Sequence, residues 1–177
     1  MRPTALLLLP LLVLTACRVE DAPAAPAEAA PEAQEAMAVP ASTVAPADAP
    51  TVTVYKSPTC GCCTLWEDHL RASGFEVESV PRTDMGAVKD SLGVPSHLSS
   101  CHTAVVGDYV VEGHVPAKHV ARMLEEAPAA RGLAVPGMPI GSPGMEMGDR
   151  RAPYDVIVFD AAGDGAVFAR VEGDPRP

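Results

Sequence analysis

Thr51-Val52-Thr53-Val54-Tyr55-Lys56-Ser57-Pro58-Thr59-Cys60-Gly61-Cys62-Cys63 joins a β-type run to three closely spaced thiols. Residues 51–55 are β-branched or aromatic and stop at Ser57-Pro58, which predicts a strand ending in a turn. Residues 62–72 then carry Leu65, Trp66, His69 and Leu70 along one side of a helix, with Gly74 as its stop. The thiols therefore stand at a helix N-terminus. Unpaired backbone N–H groups and the positive end of the helix dipole favour thiolate over thiol there, which makes such sulfurs nucleophiles or metal ligands.

Downstream, residues 75–80 alternate as a second strand, and Asp84 caps a short helix that runs through Leu92 to a stop at Gly93. Residues 103–106 and 109–112 form a hairpin about Gly107-Asp108. Residues 116–127 read as a helix with Pro116 in its first turn and Val120, Met123 and Leu124 toward the core. A last hairpin comes from residues 154–160 and 166–171. Strand, thiol-bearing helix, strand, helix, hairpin, helix is the thioredoxin-like α/β order: a mixed central sheet with flanking helices, here with a C-terminal β-hairpin extension. Cys60 and Cys63 have the spacing of its redox pair, a spacing that zinc sites also use. Cys62 is the departure. A dithiol exchanger needs one attacking and one resolving thiol, and a third invites wrong pairings in an oxidising compartment, whereas a metal cluster gains from each added thiolate.

In this fold the loop entering the first hairpin, residues 93–102, passes over the thiol helix, which brings Cys101-His102 to the cluster. The alternative for Cys101 is a small buried hydrophobe. Residues 136–148 are rich in Pro and Gly yet carry Met138, Met145 and Met147, which no periodic packing would bury. Thioether sulfur is a soft, uncharged ligand suited to Cu(I), so Met138 and Met145 are placed nearest the thiols, with gap filling as the alternative. Among the histidines, His102 and His114 are candidate ligands, His114 more readily read as structural. His69 reads as structural, and His97 and His119 as exposed. No Ser/His/Asp arrangement or paired-carboxylate site gives a hydrolase a foothold.

The first residues bear on location. Arg2 precedes an apolar stretch, residues 5–13, too short for a permanent membrane span, and then Leu14-Thr15-Ala16-Cys17. This predicts a lipoprotein signal over residues 1–16, with Cys17 lipidated as the first mature residue; an ordinary cleaved signal is the alternative. Of the five cysteines, removal of Cys17 leaves four, all in the folded region. Residues 17–50 are Ala, Pro and acidic residues without an aromatic, so they read as a disordered tether in which Met37 is incidental. Residues 51–173 form one domain and 174–177 a tail. A net charge of −10, one Trp, three Tyr and three Phe, and no Lys/Arg stripe argue against nucleic acid.

The pieces Cys60-Gly61-Cys62-Cys63, Gly93-Val94-Pro95, Ser100-Cys101-His102-Thr103-Ala104, Glu112-Gly113-His114-Val115-Pro116-Ala117 and Gly132-Leu133-Ala134-Val135-Pro136-Gly137-Met138-Pro139 resemble the CopG-type copper-resistance proteins. That family long carried only a label of unknown function. The resemblance runs over residues 51–173. It implies a thioredoxin-like fold, an extracytoplasmic cysteine-bridged site for several copper ions, and copper handling by cycling between Cu(I) and Cu(II). The resulting expectation is an envelope copper-binding protein for copper resistance. Cys60, Cys62, Cys63 and Cys101 supply bridging thiolates that favour Cu(I), and Met138, Met145 and His102 complete the shell. Its partners would be copper ions, other envelope copper-handling proteins and a membrane, reached through the lipid on Cys17. Arg18 after Cys17 leans toward the periplasmic side of the outer membrane. Two alternatives stay open. One is an envelope thiol-disulfide oxidoreductase with Cys60 as nucleophile and Cys63 as resolving thiol; the other is an iron-sulfur electron carrier, against which the Cys62-Cys63 adjacency and the methionine loop both weigh.

Overall fold

Successive side chains of β1 (Val52–Lys56) point to opposite faces of the sheet, so Val52, Val54 and Lys56 are buried and Thr53 and Tyr55 between them are half-buried. The computed structural model describes residues 44–173; the expectations for the signal, Cys17, Met37 and the tail lie outside the described residues. After β1 come α1 (Gly61–Ala72), β2 (Val77–Pro81), α2 (Met85–Leu92), a single 3-10 turn (Ser96–Leu98), β3 (His102–Val106), β4 (Tyr109–Glu112), α3 (Ala117–Glu126), β5 (Gly132–Ala134), β6 (Tyr154–Phe159) and β7 (Gly165–Val171). They make one seven-stranded sheet in the order β2-β1-β3-β4-β5-β6-β7. β1 pairs parallel with β2 and antiparallel with β3, and β3 antiparallel with β4. That half, with helices after β1, β2 and β4, is the expected thioredoxin-like arrangement.

Local chemistry sets the element ends. The Asp84 carboxylate accepts the Ala87 N–H at 3.0 Å to cap α2, and Gly93 closes it in the left-handed region at φ 72°. Pro116 precedes α3 as its cap rather than standing inside it. Phe75, read as the start of a strand, is instead buried in the loop before β2.

β5 is the element that the sequence reading lacks. Its three residues pair parallel with β4 and antiparallel with β6, so they join the C-terminal hairpin to the main sheet. Gly132 is required there, because a Cβ would collide with the Val110 carbonyl.

The sheet has a core on each face. Trp66 and Leu70 of α1 and Ala117, Val120, Ala121 and Met123 of α3 pack on Val52, Val54, Ala104, Val106, Val111, Leu133 and Val156. Burying Leu70 or Met123 contributes about 1.5–3 kcal/mol each. A smaller cluster of Val94, Leu98, Val110, Ala134 and Phe159 fills the face of α2. Two expectations fail here. Leu65 is 57 % exposed, because the buried stripe of α1 runs through Cys63, Trp66, Glu67 and Leu70. His119, expected at the surface, is buried on α3 beside the Phe168 ring that β7 brings back over the helix.

Residues 44–50, read as the end of the tether, pack on the domain. The Val44 and Ala45 N–H groups donate to the Ser73 carbonyl, and Ala45 is buried in the larger core. Among the described residues, no helix is long and apolar enough to cross a membrane.

Candidate metal centre

Cys60 is the N-cap of α1, with no side-chain cap bond and no acidic residue in the first turn. Nothing acidic in that turn competes with sulfur for the positive end of the helix dipole. Cys60 and Cys63, one helical turn apart, are joined as a disulfide with their Cα atoms 5.4 Å apart. Cys62 and Cys101 are free thiols. Cys62 Sγ lies 3.6 Å from Cys60 Sγ and 4.0 Å from Cys101 Sγ, and Cys63 Sγ lies 3.5 Å from Cys101 Sγ. All four sulfurs fall within 4.8 Å of one another. The loop into the first hairpin therefore does bring Cys101 over the thiol helix.

Two imidazoles adjoin Cys101. His102 Nδ1 is 3.3 Å and His114 Nε2 is 3.1 Å from its sulfur. His102 is fully buried on β3, stacked on Trp66 with ring centroids 4.4 Å apart, and Trp66 is itself fixed by its indole N–H on the Val115 carbonyl at 2.8 Å. His114 follows Gly113, whose φ of 71° turns the chain out of β4. Its Nδ1 lies 2.8 Å from the Pro143 carbonyl, which can only accept, so the proton is on Nδ1 and the lone pair of Nε2 points at Cys101. That is the tautomer a metal ligand needs. Burial lowers His114, partly opposed by the Pro143 carbonyl and the Glu146 carboxylate. Burial, then the charges of His114, Lys89 and Lys56, hold His102 well below its ordinary value. Burial and the neighbouring Cys62 push the Cys101 thiol up to about 12, so without a metal it is protonated at neutral pH.

The structure promotes His114, which sequence reasoning ranked as structural. Its signal was present in Glu112-Gly113-His114: a glycine directly after a strand permits the sharp turn that carries the next side chain back over the sheet end.

The methionine loop is tied to the site by its backbone. The Gly137 N–H donates to the Ser99 carbonyl at 3.2 Å, and the Ser100 hydroxyl donates to the Gly137 carbonyl, next to Cys101. Gly144 lies against α1 so closely that a Cβ would come within 2.6 Å of the Cys62 carbonyl and 2.8 Å of the Trp66 nitrogen. Met138 and Met145 each follow one of these anchors. Met138 is 52 % exposed, and Met145 is half-buried.

With the disulfide reduced, the donor set is four thiols and two imidazoles, all soft or borderline, which fits a thiophilic ion and not magnesium or calcium. A surface depression of about 550 Å³ bordered by Asp108, Tyr109, Arg131 and Asp160 contains none of these groups.

A family described as a protein of unknown function, DUF411, matches residues 98–145, which span Cys101, His102, His114, Met138 and Met145. Two solved structures of copper resistance protein copG, Form 1 and Form 2, are each 46 % identical to this chain. They superpose with TM-scores of 0.67 and 0.66, cover 71 % and 69 % of this chain, and are themselves covered over 100 % and 98 % of their length. The chain belongs to the CopG family. A search of curated proteins gave no match.

Beneath the centre of this CopG-family protein lies a buried ionic network absent from the sequence reading. Glu112, at the end of β4, has no exposed surface. One carboxylate oxygen accepts the Lys89 ammonium at 2.5 Å and the Ser100 N–H at 2.6 Å, and the other accepts the Thr103 hydroxyl at 2.6 Å. Lys89 also donates to Thr103 at 2.9 Å. An isolated buried carboxylate would cost several kcal/mol, whereas this one is paired and fully hydrogen-bonded. Its structural effect is to fix Ser100, and Ser100 in turn precedes Cys101 and holds Gly137.

Proposed function

We propose that this protein binds several copper ions, Cu(I) above all, and serves copper resistance in the cell envelope. The observation that carries the reading is the convergence of Cys60, Cys62, Cys63 and Cys101 within 4.8 Å, with the lone pair of His114 Nε2 directed at Cys101. Thiolates bridge and hold Cu(I), the imidazoles of His102 and His114 accommodate Cu(II), and Met138 and Met145 add thioethers from the loop. A site with both donor types supports copper in either oxidation state. Membership of a family whose solved members are named for copper resistance supports the metal assignment. Export, lipidation of Cys17 and display on the periplasmic face of the outer membrane belong to the same proposal, resting on residues 1–17. Other envelope copper-handling proteins are its expected partners.

Copper titration of the reduced protein, followed by thiol alkylation, tests the centre. Several ions per chain and protected cysteines are expected, with fewer ions bound by Cys62→Ser; unchanged stoichiometry in that variant would sink the cluster. Cys17→Ser should release the protein from membranes if the lipid assignment holds.

The Cys60–Cys63 disulfide favours a second reading, a thiol-disulfide oxidoreductase. That activity would persist in metal-free protein lacking Met138 and Met145.

A further inference from the structure

The end of the sheet remote from the thiols carries a second concave surface. His102 pairs with Lys56 at the thiol end of β1, whereas Val106 pairs with Val52 at its start, so about 14 Å of β3 separates the turn after Val106 from the metal centre. Three connections meet beyond that end: the β3–β4 turn at Asp108, the α3–β5 loop over residues 128–131, and the β6–β7 turn at residues 160–162. They border the cleft of about 550 Å³, a volume in the range of small-ligand sites.

Its walls are pinned. α3 ends at Ala127 with φ 43°, the one non-glycine residue in the left-handed region among the described residues. Backbone strain of this kind persists where the surroundings over-determine it, and it clusters at ligand clamps. The Tyr109 hydroxyl and the Ala130 N–H both donate to the Pro128 carbonyl, at 3.0 and 2.8 Å. The Arg131 N–H donates to the Phe159 carbonyl at 2.7 Å, and the Arg131 carbonyl accepts the Val110 N–H at 3.0 Å.

Arg131 decides what the cleft can hold. Its side chain is half-buried, and its Nε–H donates to the Leu92 carbonyl at 2.9 Å, which fixes the guanidinium. Among the described residues no carboxylate pairs with it, so both Nη groups stay available to a ligand. Two carboxylates border the same cleft. Asp108 stands on the exposed turn, and Asp160 uses Oδ1 for the Ala162 and Asp164 N–H groups at 2.9 and 3.0 Å, which leaves Oδ2 unbonded. Much of the remaining lining is small: Ala129, Ala130, Ala161 and Ala162. A simple anion would meet two carboxylates here, and a simple cation would meet the guanidinium. A molecule bearing both charges finds a complement at each end.

We infer that this cleft binds a short zwitterionic peptide, its carboxylate forked on the Arg131 Nη groups, its ammonium on Asp108 and Asp160, and its small side chains over the alanines. The inference does not rest on the copper reading, because none of these residues belongs to the thiol end of the sheet.

The test uses the full chain with Cys17→Ser, isotope-labelled, reduced and free of metal, with L-alanyl-L-alanine as the probe. Amide spectra recorded as the dipeptide is added should show saturable shifts at residues 108–110, 129–131 and 160–164, and none around the cysteines. Arg131→Met should weaken binding about tenfold or more, as should amidation of the dipeptide's carboxylate. Asp108→Asn, on an exposed turn, should weaken alanylalanine several-fold yet leave the affinity for N-acetyl-alanylalanine, which has no ammonium, unchanged. The spectrum of each variant reports its own fold; where Arg131→Met disturbs the loop, the two modified dipeptides on the parent chain decide alone. No saturable shift at those residues with millimolar dipeptide overturns the inference. So does equal affinity for alanylalanine and its N-acetyl or amidated derivative, or undiminished binding by a folded Arg131→Met.

Discussion

Gly144 shows how closely single atoms are specified around this centre. It has a φ of 82°, and a Cβ would press on the Cys62 carbonyl and the Trp66 nitrogen. Gly107 shares the positive φ, at 56°, but a Cβ there would meet only Pro50 at 3.6 Å. Gly107→Ala should therefore cost only the backbone penalty, about 1–2 kcal/mol. Gly144→Ala adds displacement of the loop from α1, about 1–3 kcal/mol more, and frees the Pro143 carbonyl that sets the His114 tautomer. Comparing denaturant midpoints with copper affinity should show the Gly144 variant losing affinity well beyond what its stability loss explains, and the Gly107 variant not. His119 offers a prediction away from the metal. Burial, then the charges of Lys118 and Arg122, lower it from 6.5 to about 4. Between those values the unfolded chain takes up a proton that the folded chain refuses, so stability falls as pH drops from about 6.5 to about 4, by at most about 1.4 kcal/mol per pH unit. His119→Gln should flatten that part of a urea-unfolding profile, with no effect above pH 7.

At the scale of elements, the 3-10 turn and the start of β3 are held in place by Glu112. Glu112→Ala leaves the half-buried Lys89 ammonium and the Ser100 N–H without their shared acceptor and should destabilise by about 3–5 kcal/mol. The paired change of Lys89→Met with Glu112→Leu removes both charges and should recover much of that loss, yet it still deprives the Ser100 N–H of its acceptor. Chemical denaturation should therefore show recovery in the double variant while copper affinity stays depressed, separating the role of the network in shaping Cys101 from its role in stability. What the sequence disclosed at this scale follows from interaction range. Asp84 and Gly93 bracket α2 through contacts within a few residues, so their roles were legible. The burial of Glu112 depends on Lys89, two elements away, and that of His119 on Phe168, which arrives only with β7. β5 escaped notice because three residues starting with glycine carry neither a period nor a strand propensity. The four thiols were legible because their chemistry has few uses, whereas the approach of His114 to Cys101 was not, because the Pro143 carbonyl that orients it lies far along the chain.

For the whole molecule, the boundary of the domain has a measurable consequence. A chain beginning at Thr51 loses the two N–H donors to Ser73 and the buried Ala45, and exposes core that Ala49 covers. It should melt several degrees below a chain that retains residues 44–50, the shift that about 1 kcal/mol produces in a domain of this size, as differential scanning calorimetry would show. Ala/Pro composition made this stretch look continuous with the tether, because three alanines carry too little hydrophobic signal to mark a packed edge. The short β5 has a broader meaning. Its register pairs Ala134 with Ile157, so the chain leaves the sheet for residues 135–153 and returns to the strand next door. A segment whose two ends are clamped side by side behaves as a cassette: its length and ligands can be exchanged while the sheet keeps its register. Residues 135–153 could therefore be lengthened, shortened or replaced while the four cysteines and two histidines, all outside that segment, keep their places.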